Sequence, residues 1–304
     1  MKLFFLVSLL FAAGIQSLSL DKPTRRDFLN SAVVGAGVAE ASIQGAWAAD
    51  SSLPFCVIGA NGKTGTKAVQ ECLSRGFPVK ATSRGGVYND AVESKLLMPT
   101  VCDVTDMSTV KAAVEGTRAV IFAASASKQG GTPAQVDNEG LVNVAKACID
   151  ANVPHLVIVS SGSVSKPDSP VYKFLNLFGG IMEQKIKGED SVRALYKESK
   201  LAYTVVRPGG LTEEPARGVT AMELNQGDEK SGRISRFDVA KLCVESTLYP
   251  DSTDKTTYEC YDADTGKPLQ SVGASNIMKK KVDPTEFVSG KERRGQSYKE
   301  LFTG

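Results

Sequence analysis

A glycine-rich segment near residue 60 is the part of the sequence whose residue types and spacing most clearly predict chemistry. Gly59, Gly62 and Gly65 occur in the run Gly-Ala-Asn-Gly-Lys-Thr-Gly. Apolar residues 54–58 precede this run, and apolar residues recur at helical spacing after it until Gly76. In such a strand, loop and helix, glycines permit a tight turn, bring backbone N–H groups to a pyrophosphate, and let the helix pack closely on the strand. The helix N-terminus adds partial positive charge, so the segment predicts a dinucleotide site.

The residue that ends the second predicted strand indicates which dinucleotide binds. Residues 78–83 form this strand, and Arg84 follows them. Proteins selective for NAD usually place an acidic residue here, which accepts a hydrogen bond from the ribose 2′-hydroxyl. An arginine can instead hold the 2′-phosphate of NADP through charge-assisted hydrogen bonds. We therefore expect NADP(H) to be favoured over NAD(H); the alternative is an ordinary surface arginine in the turn Arg84-Gly85-Gly86.

Further apolar runs predict the fold. A third predicted strand ends with residues 101–104, and further predicted strands lie at residues 119–123, 155–159 and 203–207. Amphipathic segments such as residues 135–150 separate them. This alternation predicts an α/β protein with a Rossmann-like, doubly wound parallel sheet that is covered by helices on both faces. We expect a single domain at residues 49–263 and a C-terminal tail at residues 264–304, which packs on the domain as a small extension on the substrate side.

Composition and charge exclude several classes of function. The 304 residues are 42% hydrophobic and 23% charged, values typical of a folded globular protein. Basic residues number 36 and acidic residues 34, and this near-balance argues against a nucleic-acid binder. The six cysteines are scattered and His155 is the only histidine, so we predict no metal site. We expect the cysteines to be buried free thiols.

The first 48 residues predict a cleavable targeting leader. A positive start and a short apolar run at residues 3–14 have the anatomy of a signal peptide. Thr24-Arg25-Arg26-Asp27-Phe28, a weakly apolar stretch and Ala46-Trp47-Ala48 then resemble a twin-arginine export signal. Two signals in tandem resemble the leaders of proteins of the thylakoid lumen in algal plastids, and a single extended leader to a periplasm is the alternative. In the mature chain we expect no transmembrane span.

Several motifs accompany the glycine loop and Arg84. They are Asp103-Val104, Val136-Asp137-x-x-Gly140-x-x-Asn143, Ser160-Ser161, the run Tyr-Thr-Val-Val-Arg-Pro-Gly-Gly-Leu at residues 203–211, and Ile-Ser-Arg-Phe-Asp-Val-Ala at residues 234–240. Over residues 54–262 this combination resembles the atypical short-chain dehydrogenase/reductases of the NmrA-like NAD(P)-binding group. The resemblance implies a Rossmann fold and a bound dinucleotide.

The resemblance also implies roles for individual residues. It assigns the pyrophosphate side to Gly59, Asn61, Gly62, Lys63, Thr64 and Gly65. It assigns the 2′-phosphate to Arg84, the adenine to Asp103 and Val104, the ribose edge to Ala124 and Ser125, and the nicotinamide end to Ser161, Pro208 and Gly209.

The catalytic pair of this superfamily is not found at its expected place, and Tyr196-x-x-x-Lys200, which has the right spacing, lies at the wrong end of the helix. Typical members place a Tyr-x-x-x-Lys pair beside a serine, and the lysine lowers the pKa of the tyrosine so that it can exchange a proton with a carbonyl. Four residues before Lys185 stands Ile181, and four before Lys187 stands Glu183. Ser161, Lys185 and Lys187 therefore remain the candidate catalytic residues.

Two functions are consistent with such a site. We predict an NADPH-dependent oxidoreductase that transfers hydride to a small conjugated acceptor, with water or the substrate supplying the proton. The alternative is a protein that binds NAD(P)(H) without turnover, as a redox sensor or as an assembly or scaffold factor of photosynthetic membranes. The expected partner is accordingly a small-molecule substrate or a protein of those membranes.

Overall fold

The computed structural model describes residues 52–127, 130–269 and 289–304. The predicted leader at residues 1–48 lies outside these ranges. The main sheet has eight strands in the order β3-β2-β1-β4-β5-β6-β11-β8. Its strands are β1 (Phe55–Ile58), β2 (Val79–Ser83), β3 (Leu97–Val101), β4 (Ala119–Phe122), β5 (His155–Val159), β6 (Ala202–Pro208), β8 (Met222–Asn225) and β11 (Thr256–Asp262).

Only the pairing of β8 with β11 is antiparallel in this sheet. The other pairs are parallel, and β1 lies between β2 and β4. Two small ladders flank the sheet: β7 (Gly210–Thr212) pairs in parallel with β10 (Arg233–Ser235), and β9 (Lys230–Ser231) pairs with β12 (Lys267–Pro268). The strand order confirms the predicted doubly wound α/β sheet of Rossmann type.

Helices connect the strands. They are α1 (Lys63–Ser74), α2 (Met107–Val114), a π-helical turn (Ala134–Gly140) that continues into α3 (Leu141–Asp150), α4 (Pro170–Asn176), α5 (Ile181–Tyr196), α6 (Arg236–Leu248), α7 (Pro250–Thr253) and α8 (Tyr298–Thr303). Within the described ranges, no helix is both long enough and apolar enough to cross a bilayer.

Two apolar cores lie on opposite faces of the sheet. Alternate residues of β1 point to opposite sides, so Phe55 and Val57 join one core while Cys56 and Ile58 join the other. Helices α1, α6 and α8 cover the first face, and α2, α3 and α5 cover the second. The central strands β1, β4, β5 and β6 are buried throughout, which explains why they appear in the sequence as continuous apolar runs.

The cysteines belong to these cores. All six are buried free thiols, as predicted. Burial raises the pKa of the Cys243 thiol to about 12, because a thiolate loses its hydration in an apolar core. The thiols therefore contribute apolar packing to the fold.

The C-terminal residues 289–304 return to the sheet. Arg293 forms a bridge with Leu224 of β8, and Phe302 lies in the first core against the ring of Tyr258. A buried carboxylate, Glu223, accepts hydrogen bonds from Lys230 and Arg294 and so ties this segment to β8 and β9.

A buried ionic network fixes the loop that follows β5. The guanidinium of Arg207 donates to Glu189 at 2.7 Å and lies 3.5 Å from Glu259. Ser160 donates its hydroxyl hydrogen to Glu189, and the backbone N–H of Asp228 donates to Glu259. These contacts join α5, β6 and β11 to the start of the loop that carries the predicted Ser161.

Glu259 makes the stability of this network dependent on pH. Burial and the nearby Asp228 carboxylate raise the pKa of Glu259 from 4.5 to about 7, against the opposing effect of Arg207. A carboxyl with a raised pKa in the folded state contributes its stabilising effect fully at low pH, and loses it as the pH rises from 4.5 through about 7.

Replacement of Glu259 with glutamine removes this titration. When the pH is raised from about 5 to about 8, we expect the free energy of unfolding of Glu259→Gln to increase relative to that of wild type by on the order of 2 to 3 kcal/mol. Urea unfolding at both pH values measures the change. The surface variant Glu198→Gln should unfold like wild type at both values. A difference between Glu259→Gln and wild type that does not change with pH would contradict the assignment.

Candidate functional site

A cleft of about 890 Å³ opens at the carboxyl ends of β1, β2 and β4. The chain leaves β1 toward β2 on one side, and β4 lies on the other side, so the cleft occupies the point where the strand order reverses. Many residues predicted from the sequence line it. They are Gly59, Asn61, Gly62, Lys63, Arg84, Asp103, Val104, Ala124 and Ser125.

The glycine loop has no room for side chains at two positions. Gly59 adopts a φ of +82°, and a Cβ there would lie 2.8 Å from the backbone of Ala124. At Gly65 a Cβ would lie 2.1 Å from the carbonyl oxygen of Gly59. The first glycine therefore brings the loop against the segment after β4, and the last lets α1 begin directly on the loop. Neither Gly65 nor Thr64 lines the cleft itself.

Helix α1 starts at the floor of the cleft. Gly62 is its N-cap residue, and within the described ranges no side chain caps this N-terminus. The first N–H groups of a helix have no partner inside the helix, so this end favours an anion. Lys63 extends from the same turn, with its ammonium group 3.5 Å from Glu213, and is largely exposed.

Arg84 lies on the rim of the cleft, directly after β2. Among the residues that the structure describes, it is the one arginine without a hydrogen-bond, ion-pair or ring partner. Residues 83–89 around it carry no acidic side chain. The cleft therefore presents an uncompensated guanidinium where a Rossmann protein meets the adenosine ribose.

The backbone of Asn61 lies in the glycine loop, and its side chain contacts the loop that carries Arg84. Its side-chain amide donates to the carbonyl oxygen of Val87 at 2.8 Å, and its side-chain oxygen accepts from the N–H of Asn89 at 2.9 Å. The carboxamide thus joins the glycine loop to the loop that carries Arg84. Both of its bonds are directed away from the pyrophosphate side, to backbone atoms of the Arg84 loop.

The side of the cleft predicted for the adenine is held by its own hydrogen bonds. The Asp103 carboxylate accepts from the backbone N–H and the hydroxyl of Thr105, which fixes the turn after β3. Asn143 donates to the carbonyl oxygen of Val104 at 2.9 Å. The motif Asp103-Val104 and the asparagine of the second motif are therefore one structural unit.

A buried carboxylate, that of Asp137, holds the segment after β4, which is the predicted ribose side of the cleft. Asp137 lies in the π-helical turn and accepts from the Ser125 hydroxyl at 2.7 Å and from the Ala126 N–H at 2.9 Å. Lys185 of α5 pairs with the same carboxylate at 2.7 Å and is 13% exposed. Single π-turns inside helices are frequent at functional sites. The turn here aims Asp137 at the segment after β4.

The residues predicted for the nicotinamide end come together outside this cleft. The N–H of Gly162 donates to the carbonyl oxygen of Pro208 at 2.8 Å, which joins the loop after β5 to the end of β6. Ser161 donates its hydroxyl hydrogen to Gly162. At Gly209 a Cβ would lie 2.4 Å from the carbonyl oxygen of Gly232, so this position has no room for a side chain.

The candidate Lys187, and two other titratable side chains, Tyr196 and His155, make contacts within the fold. Lys187 lies on the exposed face of α5 and pairs with Glu183 at 2.6 Å. Tyr196, four residues before Lys200, is buried in the second core with its ring against Tyr203. His155 is buried within β5 beside Thr204, and burial lowers its pKa to about 3.

The described residues fit a bound dinucleotide. A cradle of glycines that a Cβ would fill, the helix N-terminus and the unpaired Arg84 are arranged along one cleft. Together they supply the donors and the positive charge that a pyrophosphate and a ribose phosphate require. The structure describes no group of three or more His, Cys, Asp or Glu side chains arranged to hold a metal ion.

Sequence reasoning missed part of this site. Asp137 was recognised only as a letter in a motif, and its contact with Lys185 joins residues far apart in the chain. Ser127, Gly130, Gly131 and Gln135 also line the cleft and carry no pattern that would have identified them. The signal that the sequence did contain is the run Val-Asp-x-x-Gly. Its glycine, Gly140, packs closely on Val104, since a Cβ at Gly140 would lie 2.6 Å from the Val104 side chain.

Comparison with known proteins gives the same picture. Residues 59–250 match the family model described as NAD(P)H-binding. An uncharacterised chloroplastic protein of Arabidopsis thaliana is 37% identical over 210 residues, which are 66% of this chain and 73% of the relative. Sanguinarine reductase of Eschscholzia californica is 29% identical and is matched over 65% of this chain and 86% of its own length.

Further relatives and a solved structure extend the comparison. Three TIC 62 proteins are also chloroplastic, and this chain spans 39% to 47% of their length. A short-chain dehydrogenase/reductase of Veillonella parvula, solved in complex with NADP, has a TM-score of 0.55 at 18% identity and is matched over 72% of this chain and 99% of its own. The likeness to it shows the shared fold. The chain belongs to the NAD(P)H-binding family of Rossmann-fold proteins.

Proposed function

We propose that this protein is an NADPH-dependent reductase that transfers hydride to a small conjugated acceptor. The observation that carries the proposal is the unpaired Arg84 on the rim of a cleft built for a dinucleotide. The protein would belong to the NmrA-like, atypical group of short-chain dehydrogenase/reductases. The motifs that carry this resemblance, from the glycine loop to residues 234–240, support that placement.

The charge around Arg84 supports NADP(H) over NAD(H). A guanidinium without a carboxylate partner gains a charge-assisted pair when a 2′-phosphate binds, and such hydrogen bonds contribute about 1.5 to 3 kcal/mol. NADH offers only a hydroxyl group at this place. We therefore expect NADPH to bind at least about tenfold more tightly than NADH.

The side chains around Asp137 support hydride transfer without a tyrosine that acts as an acid. A bound NADPH supplies the hydride. Asp137 holds Lys185 and the Ser125 hydroxyl, so these groups form a fixed polar wall on the ribose side. Ile181 takes the position of the expected tyrosine. The proton then comes from water or from the substrate, which suits acceptors whose reduced form is stabilised by conjugation. Ser161 is the remaining hydroxyl that we place at the acceptor.

A relative's name supports the acceptor class. Sanguinarine reductase is named for an acceptor, and its match spans most of its own length. Quinones, flavins and linear tetrapyrroles are the conjugated acceptors that we would test first.

A second candidate function is binding without turnover. The observation in its favour is that Asp137 engages Lys185, and that neither Lys185 nor Lys187 has a tyrosine four residues before it. Such a protein would report the NADPH level, or would assist assembly at photosynthetic membranes. Its partner would then be a membrane protein of the plastid.

A panel of acceptors separates the two functions. With purified protein, we expect NADPH absorbance to decrease in the presence of at least one quinone, flavin or linear tetrapyrrole, and to decrease much more slowly with NADH. Ser161→Ala should reduce this turnover while NADPH binding is kept, with Ser191→Ala, a half-buried serine of α5 outside the cleft, as the matched control. Tight NADPH binding without oxidation by any acceptor would contradict the reductase and favour the sensor or assembly factor.

We also propose that the protein is delivered to a plastid, and to the thylakoid lumen of an alga. The chloroplastic relatives support the plastid, and the predicted twin-arginine signal supports the lumen. A fluorescent fusion carrying Arg25→Lys and Arg26→Lys should stop before the thylakoid. Delivery of this variant indistinguishable from wild type would contradict the twin-arginine route, and delivery of the wild-type fusion to an exported space outside plastids would favour the periplasmic alternative.

A further inference from the structure

We propose that Asn61 is a positioning residue that sets the cofactor preference of this protein by holding the Arg84 loop in its binding conformation. The Arg84 loop is defined here as residues 83–89. The inference rests on the proposed preference for NADP(H), and it assigns that preference to a residue whose side chain contacts the backbone of the loop.

The Arg84 loop needs external restraint. Gly85 and Gly86 follow Arg84 directly, and glycine loses more conformational freedom than any other residue when it is ordered. Gly86 adopts a φ of +68°, and a Cβ there would lie 2.7 Å from the Val101 side chain, so the loop requires glycine at that position. A loop that must contain this glycine has little intrinsic rigidity to hold a guanidinium in place.

Two clamps supply the restraint. Ser83 closes the loop on itself, because its hydroxyl accepts from the Val87 N–H at 3.0 Å and donates to the Val87 carbonyl oxygen at 2.8 Å. Asn61 closes it from outside, through the same carbonyl oxygen and the N–H of Asn89. The two hydrogen bonds of Asn61 tie Val87 and Asn89 to the glycine loop.

This arrangement couples two phosphate sites. Asn61 lies between Gly59 and Gly62, so its backbone belongs to the pyrophosphate loop while its side chain belongs to the Arg84 loop. A change in the position of one loop is therefore transmitted to the other. When the Arg84 loop is ordered before binding, a 2′-phosphate meets a guanidinium already in place, and less free energy is spent on ordering the loop. NADH has no 2′-phosphate and gains less from this order.

The test compares dissociation constants for NADPH and NADH across matched variants. Asn61→Ala removes both hydrogen bonds, and we expect the affinity ratio of NADPH over NADH to decrease about three- to tenfold. Ser83→Ala removes the other clamp and should lower the same ratio, which keeps the proposal testable if one variant folds poorly. Ser74→Ala is the control: the Ser74 hydroxyl donates to the Glu71 carbonyl oxygen at the far end of α1, outside the cleft, so the ratio should stay at the wild-type value.

Arg84→Ala separates this inference from the proposed cofactor preference. If Arg84→Ala lowers the ratio, and Asn61→Ala lowers it in wild type but not in the Arg84→Ala background, the inference is supported. If Arg84→Ala lowers the ratio and Asn61→Ala does not, Asn61 has no positioning role while the NADP(H) proposal stands. If the ratio is unchanged in Arg84→Ala, the cofactor proposal and this inference both fail.

Discussion

The approach of the Gly65 backbone to the Gly59 carbonyl oxygen is the constraint on which the rest of the site depends. A methyl group at Gly65 would lie 2.1 Å from that oxygen, well inside contact distance. Because the helix starts this close to the strand, the first N–H groups of α1 lie at the floor of the cleft. At the other end of the loop, Gly59 is pressed against the backbone of Ala124. Any side chain at either glycine would separate β1, β4 and α1.

From this constraint the polar contacts follow outward in two directions. On one side, Asn61 extends from the loop and holds the backbone around Val87, beside Arg84. On the other side, Ala126 and Ser125 follow Ala124 and are bound by the Asp137 carboxylate, which also takes Lys185. The cleft is therefore lined by loops that side chains join to each other.

The fold was predictable from the sequence because its signals are local. Apart from His155, the runs at residues 54–58, 119–123 and 155–159 are apolar, since central parallel strands are buried on both faces. The glycine spacing identified the loop partly for the same reason: Gly62 and Gly65 both lie against Gly59 of the same loop, whereas Gly59 itself lies against the distant Ala124. The helix predicted at residues 135–150 begins instead with a π-helical turn, because the amphipathic pattern shows that a helix is present and not how tightly its first turn is wound.

The contacts that define the site were less predictable. Asn61 was assigned to the pyrophosphate by its position in the motif, yet its side chain is bonded to residues more than twenty positions away. Lys185 was a candidate for catalysis because it lies in the helix that the resemblance expects to carry the catalytic lysine, and only the structure shows that Asp137 holds it. Such pairings depend on which loops the sheet order brings together. The sequence alone therefore identifies the residues of the site but does not show which of them are in contact.

We propose that the cleft between β2 and β4 holds NADPH with its 2′-phosphate on Arg84. A crystal structure of the protein with NADP⁺ bound would test this placement. We expect the pyrophosphate at the N-terminus of α1, the adenine beside Asp103 and Val104, and the 2′-phosphate within hydrogen-bonding distance of the Arg84 guanidinium. A dinucleotide bound elsewhere, or bound in this cleft with Arg84 turned away from the 2′-phosphate, would contradict it.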